Sequence, residues 1–136
     1  MEKEFLKETT RSVTLNVTGG KIDSFREQEE TTGTVRVYEG GSIGVAGCLG
    51  EPDEEALTAK AKDALSLGIP YPCKLEGALE KEDLHEEEIL PIPEFIPTMQ
   101  SFLDRLGESC PKFAFSNKIS LNYQKNEYRN SLGRHL

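Results

Sequence analysis

Apolar and polar residues alternate along the first third of this chain, and the alternation has the period of two that marks half-buried strands. Val13, Leu15 and Val17 alternate with Ser12, Thr14 and Asn16. Thr18-Gly19-Gly20-Lys21 then reads as a hairpin turn, and a polar, highly charged strand returns from Ile22 to Glu30. Its acids Glu27, Glu29 and Glu30 suit a solvent-facing or edge position. Val35 and Val37 alternate with Thr34 and Arg36, Gly40-Gly41 supplies a second tight turn, and Ile43 and Val45 resume the pattern. The prediction is an antiparallel meander of four strands over residues 1–47, with Gly33 opening the third strand and Ser42 the fourth.

The period then changes. Leu57, Ala61, Ala64 and Leu65 fall on one stripe of a helix over 51–68. Pro52 is placed in its first turn, Asp53, Glu54 and Glu55 complement its positive end, and Gly68 followed by Pro70 stops it. Residues 69–94 read as an acidic connection bracketed by Pro70, Pro72, Pro91 and Pro93, with room for a short helix near 79–90. Ile96, Met99, Phe102, Leu103 and Leu106 predict a second helix over 95–108. Strands return over 112–130, with a turn at Lys125-Asn126 before a last strand around Tyr128. The pattern thus predicts a single α/β (α+β) domain, 1–136, in which two helices cover an antiparallel or mixed sheet.

Composition narrows the function classes. The 136 residues carry a net charge of −8 and no cluster of Lys and Arg, which argues against nucleic acid and against anionic membrane surfaces as partners. No apolar run approaches the ~20 residues of a membrane helix. The N-terminal Met-Glu-Lys-Glu lacks the apolar segment of a signal peptide, so the expected compartment is the cytoplasm. Cys48, Cys73 and Cys110 are odd in number and widely spaced, as free thiols would be.

Candidate chemistry is sparse. His85-Glu86-Glu87-Glu88-Ile89 looks like half of a zincin helix, but the second ligand position holds Ile89, and the other histidine is the distant His135. No Gly-x-Ser-x-Gly elbow accompanies the serines. Gly40, Gly41, Gly44 and Gly47 lack the Gly-Lys-Ser/Thr ending of a phosphate loop, and the acids at the following helix start would repel phosphate. Tyr38, Tyr71, Tyr123 and Tyr128 are scattered and read as packing residues. The expectation is no catalytic, no cofactor-binding and no metal-ligating residue in this chain.

Several segments in order resemble the N-terminal domain of the TldD/PmbA family, the metallopeptidase-like proteins also called modulators of DNA gyrase. They are Glu4-Phe5-Leu6-Lys7-Glu8-Thr9-Thr10 with Val13-Thr14-Leu15, then Gly20-Lys21-Ile22-Asp23-Ser24. Gly33-Thr34-Val35-Arg36-Val37-Tyr38 follows, with Gly41 and Gly44-Val45-Ala46-Gly47. The helix with Ala56-Leu57 and Ala61 to Leu65 comes next, and Asn130-Ser131-Leu132-Gly133 closes the series. The resemblance implies an α/β domain followed by a β-rich C-terminal domain. In the TldD branch that second domain binds zinc through a His-Glu-x-x-x-His motif and a Cys; the PmbA (TldE) branch lacks the ligands and pairs with TldD. Peptide degradation and maturation of a modified peptide antibiotic are the implied activities. None of those ligands maps here, so zinc is implied only for the C-terminal domain. The implied partners are that domain and a homologous subunit, with a peptide substrate.

The chain departs from the family in lacking an N-terminal helix and in stopping soon after Gly133, as an excised domain or a shortened relative would. A noncatalytic domain that shapes substrate access or subunit pairing is the first expectation. The alternative is a free-standing acidic protein-interaction module using residues 76–94.

Overall fold

The computed structural model describes residues 1–84 and 89–136. Among these residues six strands and two α-helices follow one another as β1 (Glu2–Thr18), β2 (Lys21–Glu39), β3 (Ser42–Leu49), α1 (Glu54–Ala64), β4 (Leu79–Glu80), α2 (Ile92–Ser109), β5 (Asn117–Asn130) and β6 (Arg134–His135). The strand order is β3-β2-β1-β5-β6-β4. β2 with β3 and β5 with β6 pair antiparallel, whereas β4 and β6 pair parallel, so this α+β fold has a mixed sheet. The residues group into two units: 1–10, 30–84 and 124–136 form the first, and 11–29 and 85–123 the second.

In the first unit, β2 turns into β3 through Gly40 and Gly41, both at positive φ (+58° and +76°), as a two-residue hairpin loop requires. Val37 then faces Gly44 and Val35 faces Ala46. The buried core is Phe5, Val35, Val37, Leu57 and Ala61, with Ala46, Cys48 and Leu65 packed against it. Gly44 lets α1 lie directly on the strand, because a Cβ there would stand 1.9 Å from the carbonyl oxygen of Ala61. α1 starts at Asp53, whose carboxylate accepts the Ala56 N–H at 3.1 Å, and Glu54 and Glu55 occupy its first turn. A 3-10 turn (Leu65–Leu67) tightens its end, and Gly68 closes it in the left-handed conformation.

In the second unit, Val13 and Leu15 of β1 pack with Phe95 of α2, surrounded by Ile22, Leu90, Ile92, Ile96, Met99, Ile119 and Leu121. The strand parity of two and the helical spacing of Ile92, Phe95, Ile96 and Met99 meet in this cluster.

Several expected boundaries move. The second and third strands of the predicted meander are one strand, β2, which runs through Gly33. That glycine makes no turn; it admits the Pro52 ring, which would lie 2.3 Å from a Cβ. Pro52 itself lies before the helix cap rather than in the first turn. α2 begins at Ile92, not Phe95, with Pro93 in its first turn, where the missing N–H costs nothing, and Pro97 further in. The turn expected at Lys125-Asn126 is absent, since β5 continues to Asn130. The chain reverses instead at Ser131–Gly133, where Gly133 has φ +87° and the Asn130 side chain accepts the N–H groups of Leu132 and Arg134 at 3.0 Å each. Leu79–Glu80, expected to open a short helix, pairs with β6 as a strand.

Candidate functional site

Glu4 is the buried charged side chain among the described residues, at 9% exposure. Phe5 and Glu4 are neighbours on β1 and therefore point to opposite faces of the sheet. Phe5 enters the α1 core, with the Arg129 guanidinium 4.7 Å above its ring. Glu4 meets the polar face of β2, where Arg36 and Tyr38 alternate with buried Val35 and Val37. Its Oε1 accepts from Arg36 at 3.0 Å and from the Tyr38 hydroxyl at 2.5 Å; its Oε2 accepts from the Tyr128 hydroxyl of β5 at 2.8 Å. Asn130 donates to the Tyr128 oxygen at 3.3 Å and to the Glu76 carbonyl at 2.9 Å. Tyr71 stacks at a tilt on Tyr38, with ring centroids 5.3 Å apart.

These contacts fix the protonation states. Burial pushes the Glu4 carboxyl up, but the hydrogen bonds from Tyr38, Tyr128 and Arg36 and the guanidinium charge outweigh it, so the group titrates below its ordinary value. Burial and the hydrogen bond to Glu4 raise both the Tyr38 and the Tyr128 phenols. The hydrogen bond to Glu4 raises Arg36 further. The result is a carboxylate held ionised beneath two neutral phenols. Such a cluster supplies neither a general base near neutral pH nor an activated nucleophile. It ties β1, β2 and β5 together and floors a cavity of about 300 Å³, whose walls include Tyr71, Lys74 and Arg134.

A wider groove of about 870 Å³ is lined by Glu80, Glu82, Asp83, Lys125, Glu127 and His135, among others. His135 Nε2 lies 4.0 Å from Glu127 Oε1. Among the described residues, no three His, Cys, Asp or Glu side chains gather as metal ligands. His85 through Glu88, the half-zincin segment, lie outside the described residues. The thiols of Cys48, Cys73 and Cys110 are free.

Gly40 and Gly41 make the hairpin expected of them, and Gly44 seats α1. The tyrosines, taken from the sequence as scattered packing residues, include three that converge on one cavity. The signal for two members was the alternation Arg36-Val37-Tyr38 on the polar face of a strand. Glu4 and Tyr128 lie too far away in sequence for any local pattern to join them.

Residues 4–68 match domain 1 of the PmbA/TldA metallopeptidases. No curated protein sequence matches the chain. In fold, the chain is similar to TldE of Thermococcus kodakarensis, with a TM-score of 0.80 at 14% identity over 99% of this chain and 33% of that one. A proposed modulator of a DNA gyrase from Thermotoga maritima gives a TM-score of 0.72 at 15% identity over 99% of this chain and 32% of that one. The chain thus spans about a third of the length of either protein.

Proposed function

We propose, for a chain whose residues 4–68 match domain 1 of the PmbA/TldA metallopeptidases, that it is the noncatalytic part of a zinc-metallopeptidase-type protein acting on peptides. In that protein it shapes the path of the substrate or supports subunit pairing. The observation that carries this role is the family match, joined to a fold shared over 99% of the chain with TldE. The Glu4 cluster supports it: its groups are committed to holding three strands in place, as a scaffold needs. Zinc belongs, in this proposal, to the C-terminal domain of such a protein, where it would activate water for peptide hydrolysis. The three free thiols suit the reducing cytoplasm, the compartment we assign.

Zinc titration of the purified chain tests the noncatalytic role. Binding too weak to compete with a moderate chelator is expected; stoichiometric, tight binding would overturn it.

A second proposal rests on the groove that Glu80, Glu82, Asp83 and Glu127 line. Glu80 and Glu82 are exposed there, on a chain of net charge −8, which suits a basic protein partner. The chain would then act as an acidic interaction module.

A further inference from the structure

Lys and Arg number 16 in this chain against 24 Asp and Glu, yet three cationic side chains line one cavity of about 300 Å³. Arg36 comes from β2, Arg134 from β6 and Lys74 from the segment between α1 and β4. All three belong to the first of the two units. Far apart in sequence, they form no basic run, and only the fold gathers them.

Their commitments differ. Arg36 is bound to Glu4, the carboxylate that also accepts from Tyr38 and Tyr128. Arg134 is anchored by its backbone contact, since its Nε–H donates to the Gly77 carbonyl at 3.1 Å. Its Nη1 meets the Glu76 carboxylate at 2.7 Å; the Arg134 side chain is 20% exposed and that of Glu76 is 74% exposed. An ion pair this open on one side contributes little and exchanges readily. Glu76 can therefore swing out while the guanidinium stays in place. Lys74 is exposed and meets no ion-pair or hydrogen-bond partner among the described residues. The cavity thus offers one free ammonium and one fixed guanidinium whose present partner is a displaceable carboxylate.

The remaining walls suit an apolar body. The rings of Tyr38 and Tyr71 stand 5.3 Å apart at a tilt of 38°, and Leu75 adds aliphatic surface. A volume of about 300 Å³ is at the small end for ligand sites, so it takes the end of a chain rather than its length.

We propose that this cavity captures the C-terminal end of a peptide whose last side chain is apolar. The terminal carboxylate takes the place of Glu76 on Arg134 and recruits Lys74, while the last side chain lies against the Tyr71 ring and Leu75. Glu76 then acts as a built-in competitor that holds Arg134 until a peptide arrives. A free amino acid carries the same carboxylate, but its ammonium would stand among three cations and be repelled.

This inference rests on the substrate-path branch of the proposed function and gives it a surface. Isothermal titration of the full chain with an acetylated tripeptide, two alanines followed by a C-terminal phenylalanine, is expected to show one site. The same peptide with its C-terminus amidated should bind about tenfold more weakly or worse, and so should free phenylalanine. Two exposed side chains give variants with opposite signs. Lys74→Met should weaken the peptide about tenfold, whereas Glu76→Gln, which removes the competitor, should tighten it several-fold. Damage to the fold could not produce that pair of results.

No binding of the tripeptide, equal binding of the amide, or indifference to both variants overturns the site. Free phenylalanine binding as tightly as the tripeptide overturns the peptide as its ligand, and so does inorganic phosphate that competes equally well. None of these outcomes touches the noncatalytic role, which the zinc titration tests.

Discussion

Glu4 shows how one residue sets the conditions under which this domain is stable. Its carboxyl titrates below the ordinary 4.5 when folded. The folded value lies below the unfolded one, so the contribution of Glu4 is complete above about pH 4.5 and is lost as pH falls through the folded value. Tyr38 and Tyr128 have the opposite sign: both phenols are raised above 10.0. Their contribution is complete below about pH 10 and fades as pH rises through the folded values. Stability from this cluster therefore has a plateau between those limits. Replacing Glu4 by Gln leaves an amide N–H2 facing groups that themselves donate, and should cost about 3 kcal/mol on the plateau. Thermal melts against pH check it: the gap between wild type and Glu4→Gln should close below pH 4.5. A gap that stays constant with pH would show that Glu4 acts through packing alone. Tyr128→Phe removes the hydrogen bond to the Glu4 carboxylate and the acceptor of the Asn130 N–H, and should cost roughly 1.5–3 kcal/mol.

At the scale of elements, the hairpin of β2 and β3 and the helix α1 are held by what is missing at Gly44. Ala there would drive a methyl group into the backbone of Ala61, which no rotamer change can relieve. Gly44→Ala should destabilise the chain by about 1–3 kcal/mol or more by forcing α1 off the strand. Gly47→Ala is the control, because its Cβ would meet its nearest neighbour, the Gly33 carbonyl oxygen, at 3.4 Å. Urea denaturation of the two variants side by side should show a lower midpoint for Gly44→Ala alone.

Elements are also where the sequence was most and least legible. Val13, Leu15 and Val17, the Gly40-Gly41 turn and the stripe of Leu57 and Ala61 showed their roles through local periodicity. Gly33 did not: a glycine in an alternating run looks like a turn, and only its approach to Pro52 shows why the strand continues. Asn126 misled in the same way, since the real turn needed Gly133 and the reaching side chain of Asn130. The Glu4 site was illegible as a whole, because its partners are 32, 34 and 124 residues away.

For the whole molecule, the net charge of −8 is the property that separates the two proposed roles. No helix among the described residues is long and apolar enough to cross a membrane. If the acidic groove binds a basic protein, neutralising Glu80, Glu82 and Asp83 to Gln, Gln and Asn should abolish that binding. Affinity for the unaltered chain should fall as salt rises toward 1 M, where screening acts within ~3 Å. Calorimetry with a lysine-rich peptide measures both, and an affinity independent of salt would dismiss the interaction-module role.

The convergence of Tyr38, Tyr71 and Tyr128 on one cavity also has a practical side. The chain has no tryptophan and four tyrosines, so its near-ultraviolet absorbance and emission arise chiefly from residues of which three line that single cavity. The protein carries its own optical label there, and changes at the Glu4 cluster can be followed by light without attaching a dye.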